Sequence, residues 1–132
     1  MSAAPIAARR AALRQLQKIE RGFDRAFAAP GNPWRHLGAL GFFLFWVVAA
    51  SGVYLYIFFD TSVAGAYRSV ESLTRDQWYA GGVMRSLHRY ASDAFVVVVA
   101  LHLIKEFLHR RYAGFRWFSW LTGVPLVWFL FA

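Results

Sequence analysis

The sequence contains no cysteine among its 132 residues. This absence excludes a disulfide framework and a thiolate metal site. It also excludes covalent attachment of a haem through a Cys-x-x-Cys-His motif. A redox or metal site in this chain would therefore have to use other side chains.

Acidic residues are also few, since seven Asp and Glu stand against fifteen Lys and Arg, for a formal charge of +8. No secretory signal is visible, because the first long apolar segment begins only after 36 residues and lacks a cleavage-like end. We therefore expect the apolar segments to be permanent membrane spans. The basic charge does not indicate nucleic-acid binding, because it flanks these segments instead of covering a soluble surface.

Apolar and aromatic side chains are abundant, at 58% and 19% of the residues. Leu37–Phe59 carries no charge over 23 residues, which is long enough to cross a bilayer. A second span is expected from about Gly82 to about Phe107, and the apolar block Trp117–Ala132 has only sixteen residues. The pattern predicts an all-α transmembrane helix bundle with two full spans and an incomplete third. Because a helix ending in lipid leaves carbonyls unpaired, we expect a piece of a longer or split protein.

The N-terminal segment, residues 1–33, is basic and amphipathic. Between Ala7 and Phe27, apolar residues recur at steps of three and four, with arginine and lysine on the other face. This pattern predicts an interfacial helix that precedes a membrane domain at residues 34–132. Pro30-Gly31-Asn32-Pro33 is expected to end the helix in a turn. A disordered basic tail is the alternative.

Two histidines, His88 and His102, are fourteen residues apart inside the second apolar segment. Fourteen helical residues return to within about 40° of the same face, roughly 21 Å further along the axis. The two imidazoles would then point the same way from opposite halves of a hydrocarbon core about 30 Å thick. Polar rings in lipid need a partner, and two stacked haems, one ligated by each imidazole, would satisfy both. For either histidine alone, an interhelical hydrogen bond is the alternative.

Gly38 and Gly52 in the first span are also fourteen residues apart, so the same helix arithmetic places them on one face. Glycine allows a flat, bulky group to approach the backbone closely. We interpret the two glycines as notches facing two haem planes. Helix packing through small residues is the alternative.

A cation lies three residues from each histidine: Arg85 precedes His88, and Lys105 follows His102. Residues three apart are neighbours on a helix surface, so each cation could neutralise haem propionates. The alternative is that both side chains extend to lipid phosphates, as is common at span ends.

The charges also predict an orientation. Residues 1–36 and the segment from Lys105 to Arg116 are strongly basic, whereas residues 60–78 carry two basic and three acidic side chains. The positive-inside rule then places the N-terminus in the cytoplasm and residues 60–78 on the other side, which is the periplasm in a bacterium. His88 would lie toward the outer face and His102 toward the cytoplasm.

From Asn32 to Ala132 the chain resembles the N-terminal part of cytochrome b, the haem-bearing subunit of cytochrome bc complexes. The resemblance rests on Arg85-Ser-Leu-His88, thirteen residues to His102, and then Lys105. Supporting segments are Gly38, Ser51-Gly52, Ala66-Tyr-Arg-Ser-Val70 and Trp120-Leu-Thr-Gly123. The chain departs from the family at Val48, where glutamine is common, at Arg89-Tyr-Ala-Ser-Asp93, where a glycine-containing stretch is common, and at Lys105, where arginine is usual.

The resemblance implies an antiparallel helix bundle that holds two b-type haems non-covalently. His88 would ligate the outer, low-potential haem and His102 the cytoplasmic, high-potential haem. Arg85 and Lys105 would meet the propionates. The family's fourth helix, which provides the other two ligands, is not part of this sequence.

The function expected from the residues and the resemblance is transmembrane electron transfer, as the cytochrome b subunit of a quinol-oxidising respiratory complex. Quinol or quinone would be the redox partner, an iron–sulfur protein or a cytochrome c a companion subunit, and a bacterial inner membrane the location. The chain would be an electron-transfer subunit that is not catalytic alone. The alternatives are a di-haem membrane anchor of a dehydrogenase or hydrogenase, and a haem-free membrane anchor.

Overall fold

The computed structural model describes residues 4–131, and within that range every regular element is helical. The elements are α1 (Ala4–Gly31), α2 (Leu37–Phe58), α3 (Ala66–Arg75), a single π-helical turn (Trp78–Gly82), α4 (Val83–Leu108) and α5 (Trp117–Phe131). The expected all-α class is confirmed for these residues. Contacts group them into two compact units: one contains the described residues up to Leu40 and from Val96 onward, and the other contains Gly41–Phe95.

Helix α2 matches the first predicted span to within one residue. It is the one helix in the described part of the chain that is both long and apolar enough to cross a membrane. Its large side chains find little cover within the chain, since Phe42, Trp46 and Tyr56 are 66%, 58% and 72% exposed. An apolar surface of this kind needs an apolar environment supplied from outside the chain.

Helix α4 has 26 residues, which is also enough to cross a bilayer. It carries Arg85, Arg89 and Asp93 in its first half and Lys105 near its end, so it is less apolar than α2. Helix α5 covers the third apolar block as far as Phe131, and Ala132 lies outside the described residues. The second and third spans therefore stay predictions, supported by helices at the expected places.

Residues 60–78, which were expected to form a loop, contain the helix α3. A backbone hydrogen bond from Ser62 to the Asp60 carboxylate, 2.8 Å long, lowers the pKa of Asp60 and starts the turn into α3. Leu73 is buried at 4% exposure, and Glu71 forms an ion pair with Arg75 one helical turn later. Ala66, Val70 and Leu73 recur at steps of four and three and are among the covered positions of α3, so the sequence did carry a helical pattern here.

Helix α1 is interrupted at Ala28, whose φ of 58° and ψ of 157° lie outside the helical region, and it ends at Gly31, within the predicted turn at Pro30-Gly31-Asn32-Pro33. A corner formed by Asn32, Asp24 and Arg35 follows. The Asn32 side-chain amide is fully buried: it donates to Glu20 O at 3.0 Å and to Asp24 Oδ1 at 2.8 Å, and it accepts from the Trp34 N–H at 2.8 Å. This corner joins α1 to the start of α2 by a fixed set of bonds.

Arg35 closes the corner with a two-pronged contact to Asp24. Its Nε and Nη2 donate to the two carboxylate oxygens at 3.0 and 2.8 Å, a geometry that suits the planar guanidinium. The hydrogen bonds from Arg35 and then from Asn32 lower the pKa of Asp24 from 3.8 to about 2, and the same contact raises the pKa of Arg35. Asp24 is therefore ionised throughout the physiological range.

Candidate haem-binding sites

In the unit formed by Gly41–Phe95, the His88 imidazole lies against α2. Its Nδ1 atom is 3.1 Å from Ser51 Oγ and 3.2 Å from the Val48 carbonyl oxygen. Ser51 is 2% exposed, so the hydroxyl that meets the ring is shielded from solvent. The three groups form one hydrogen-bonded cluster.

The cluster determines which ring nitrogen of His88 carries the proton. The Ser51 hydroxyl has a single hydrogen, which it donates to the Val47 carbonyl oxygen at 2.6 Å. The Val48 carbonyl can only accept. Nδ1 therefore carries a hydrogen and donates it to these oxygens. In the neutral ring, Nε2 is then free of hydrogen and available as a ligand.

This arrangement is the usual support of a metal-bound histidine, whose second ring nitrogen donates to a carbonyl or another acceptor. Such a partner fixes the ring orientation and raises the basicity of the ligating nitrogen. The hydrogen bonds of His88 match the interhelical contact that was given as the alternative for this residue. They leave Nε2 available, so its role as a haem ligand is compatible with the structure and stays a prediction.

Because Gly52 has no side chain, the His88 ring can lie close to the backbone of α2. A Cβ atom at position 52 would lie 3.1 Å from His88 Cε1, which is closer than ordinary van der Waals contact. Gly52 was expected to face a haem plane, whereas in the structure it faces the imidazole itself.

Arg85 borders an apolar cavity beside Gly52. The cavity has a volume of about 330 Å³, and the other side chains on its wall are Leu55, Tyr56, Phe59, Val70 and Leu73. Arg85 Nη1 donates to Thr74 Oγ1 at 2.8 Å. An apolar cavity with one guanidinium at its edge suits a flat, hydrophobic group that ends in carboxylates.

The second site lies in the other unit, where His102 meets Gly38. A Cβ atom at position 38 would lie 3.2 Å from His102 Cε1. His102 borders two clefts, of about 530 Å³ and about 470 Å³, and Gly38 and Lys105 line the smaller one with it. The structure therefore brings together all three residues predicted for this site.

The Lys105 side chain forms a hydrogen bond to the backbone just before α2. Its Nζ donates to the Trp34 carbonyl oxygen at 2.7 Å, and Trp34 is itself 9% exposed. Lys105 was expected to meet a propionate, and this stays a prediction: the side chain lines the cleft, and its ammonium group has two further hydrogens to donate. His36 and His109 also border this cleft, and their rings bond to the carbonyl oxygens of Pro30 and Lys105.

The residues present fit a haem better than a bare metal ion. Within residues 4–131, no group of three or more His, Cys, Asp or Glu side chains could hold a metal ion. Each unit instead offers one imidazole, one glycine that leaves room beside it, and one cation next to a cavity. One imidazole for each iron is half of a bis-histidine ligand set.

Ser51, Val48 and Trp34 contact the candidate site residues, and the sequence did not assign them. Ser51 entered only as part of Ser51-Gly52, and its bond to His88 depends on the depth at which α4 meets α2. Its position directly before Gly52 was the available signal. Trp34 contributes a backbone oxygen, which no side-chain pattern can reveal.

Comparison with known proteins identifies one family. The cytochrome b/b6/petB family matches residues 27–132. The cytochrome b6 of Synechococcus sp. (strain CC9311) is 28% identical over 113 residues, which cover 85% of this chain and 51% of that protein. The cytochrome b6 of Porphyra purpurea is 31% identical over 113 residues, covering 85% and 52% of the two chains.

A third relative, the cytochrome b6 of Tupiella akineta, is 33% identical over 111 residues, covering 83% of this chain and 51% of its own length. The chain thus spans about half the length of the relatives it matches. No solved structure gives a significant match. The family match covers α2–α5 and both histidine sites, and it identifies this chain as a member of the cytochrome b family.

Proposed function

We propose that this chain is the haem-binding N-terminal part of a cytochrome b subunit that transfers electrons across a membrane in a quinol-oxidising, bc-type complex. Membership of the family implies b-type haem. The observation that carries the proposal is the repeated arrangement of one imidazole against one glycine, His88 with Gly52 and His102 with Gly38. Two such places support two haems.

His88 and His102 each provide one axial ligand in this proposal. The bond from His88 Nδ1 to Ser51 and Val48 orients Nε2 and raises its basicity. Arg85 and Lys105 neutralise propionates at the edges of their cavities. The other two ligands come from sequence beyond this chain. When bound, haem supplies one-electron redox chemistry at a potential tuned by ligation, burial and nearby charge.

The membrane arrangement is part of the same proposal. The later glycine, Gly52, pairs with the earlier histidine, His88, which is the order produced by two antiparallel helices. This order supports α2 and α4 as successive spans of a bundle, with α5 as the start of a third. Residues 34–132 form the membrane domain, with the N-terminus in the cytoplasm of a bacterial cell. Quinol or quinone and the other subunits of the complex are the partners.

The experiment that tests this function is a redox titration of the complete protein, purified from membranes. We expect two b-type components in the haem absorption bands, and reduction of at least one by an added quinol. The absence of haem absorption would contradict the proposal and favour a haem-free anchor. A single component would contradict the assignment of two haems.

A further inference from the structure

We propose that α1 binds anionic phospholipid. Its apolar side chains would contact the outer part of the acyl chains, and its basic side chains would contact the lipid phosphates. The proposal rests on the membrane location given above. It concerns a part of the chain that the family match, which begins at residue 27, largely leaves out.

Two opposite faces of α1 carry the argument. At about 100° per residue, five basic side chains fall in a sector about 80° wide, and five apolar side chains fall in a sector of about the same width, about 180° away. The basic set is Arg10, Arg14, Lys18, Arg21 and Arg25, and the apolar set is Ala12, Leu16, Ile19, Phe23 and Phe27. A helix of this design lies in a membrane interface.

The apolar stripe is open to its surroundings. Ile19, Phe23 and Phe27 are 43%, 36% and 55% exposed. Phe23 gains cover through its ring stacked on Trp34, with centroids 6.1 Å apart, and Ala12 and Leu16 are half-buried. Ile19 and Phe27, the more exposed members of the stripe, need an apolar surface from another molecule.

The two carboxylates of α1 form their ion pairs with Arg35 and not with the basic side chains of α1. Glu20 and Asp24 lie on the edge between the two faces, where both form ion pairs with Arg35 at 3.4 and 2.8 Å. Asn32 adds a further bond to Asp24. Among the described residues, the ion pairs of α1 involve these two carboxylates and Arg35, so the basic face keeps its full charge for an external anion.

Charge complementarity therefore selects a bilayer with anionic headgroups over a neutral one. Each lysine or arginine close to an anionic leaflet strengthens binding by about five-fold, and the attraction weakens as salt screens it. A cytoplasmic leaflet provides such lipid, in agreement with the orientation proposed above. The corner at Asn32 holds α1 to the start of α2, so the lipid contact is made by an element attached to the His102 site.

The test uses the complete, haem-loaded protein in nanodiscs of phosphatidylcholine, with and without added phosphatidylglycerol. Amide hydrogen exchange is measured for peptides from residues 6–27. We expect exchange to slow by more than about five-fold when the anionic lipid is present, and this protection to fall as ionic strength rises. Equal exchange in the two lipids would overturn the proposal.

Matched variants sharpen the result. Replacing the five basic residues by Gln should abolish the lipid-dependent protection, whereas replacing the four arginines by Lys should keep it. Arg68→Gln, which lies in the segment between α2 and α4, should have no effect. Protection that persists in the Gln variant, or that requires an added soluble protein instead of anionic lipid, would overturn the proposal. Haem absorption of the same samples reports on the electron-transfer function separately.

Discussion

At the residue scale, the Ser51 hydroxyl and the Val48 carbonyl orient the His88 ring, which is the proposed haem ligand. The sequence indicates His88 through its spacing from His102, but the tautomer follows from contacts that only the fold creates. Ser51 Oγ and Val48 O come within 3.1 and 3.2 Å of Nδ1 because α4 meets α2 at one particular depth. Spacing can predict which residues share a helix face, and it cannot predict which groups on another helix they meet.

Replacing Ser51 with Ala should weaken haem binding at the His88 site. The Nδ1–H would lose one of its two acceptors, and removal of such outer partners typically costs about ten- to hundred-fold in affinity. Ser51→Thr keeps the hydroxyl and serves as the control. Haem retention during dilution into apomyoglobin measures the effect, and the His102 haem should be retained normally. Equal retention in both variants would show that Ser51 does not support the ligand.

Replacing Asp24 with Asn should remove an acid-sensitive stabilisation of the corner. The pKa of Asp24 is lowered to about 2 in the folded chain, so its stabilisation is present above its ordinary pKa of 3.8 and is lost as the pH falls toward 2. The thermal midpoint of the wild type should therefore exceed that of Asp24→Asn by a constant amount above about pH 4. The difference should shrink below that pH. A difference that stays constant down to pH 2 would contradict the pairing with Arg35.

At the element scale, the long segments are the predictable ones. The uncharged run from Leu37 places α2 to within one residue, and α4 begins and ends one residue from the expected limits. Helix α3 was not predicted, although Ala66, Val70 and Leu73 recur at helical spacing; it is only ten residues long and follows the turn at Asp60 and Ser62. The position of the corner was indicated by Pro30-Gly31-Asn32-Pro33, but its bonds to Glu20, Asp24 and Arg35 were not.

The glycines of α2 give an element-scale prediction. Gly52→Ala and Gly38→Ala should each displace a histidine ring by a few tenths of an ångström and reduce haem incorporation at that site, because the new Cβ lies 3.1 or 3.2 Å from Cε1. Gly22→Ala is the matched control, since a Cβ there meets nothing within 4 Å. The control should instead stabilise α1 by up to about 1 kcal/mol. Normal haem content in all three variants would assign Gly38 and Gly52 to ordinary helix packing.

At the scale of the whole molecule, charge and apolar surface separate along the sequence. Residues 60–78 carry two basic and three acidic side chains, whereas the N-terminal segment and the segment after α4 are strongly basic. This asymmetry of charge can be read from the sequence without knowledge of the fold. Spacing in the sequence also indicated the candidate site residues, whereas the pairing of His88 with Gly52 and of His102 with Gly38 is seen only in the fold.

Reporter fusions test the orientation that this asymmetry predicts. A reporter inserted between Asp60 and Trp78 should be active only outside the cytoplasm, and one inserted near Arg111 only inside. Each basic residue near an anionic cytoplasmic leaflet contributes about 1 kcal/mol, so several together should set the topology. The opposite pattern would exchange the compartments assigned to His88 and His102.

The most direct test of the central claim is haem content in single-histidine variants of the complete protein. We expect His88→Ala and His102→Ala each to lose one b-type haem and keep the other, because each imidazole lies against its own glycine. His109→Ala, an exposed histidine with no assigned haem, is the control and should keep both. Redox-resolved absorption of the purified proteins provides the count. Two haems remaining in either His88→Ala or His102→Ala would contradict the assignment of that histidine as a haem ligand.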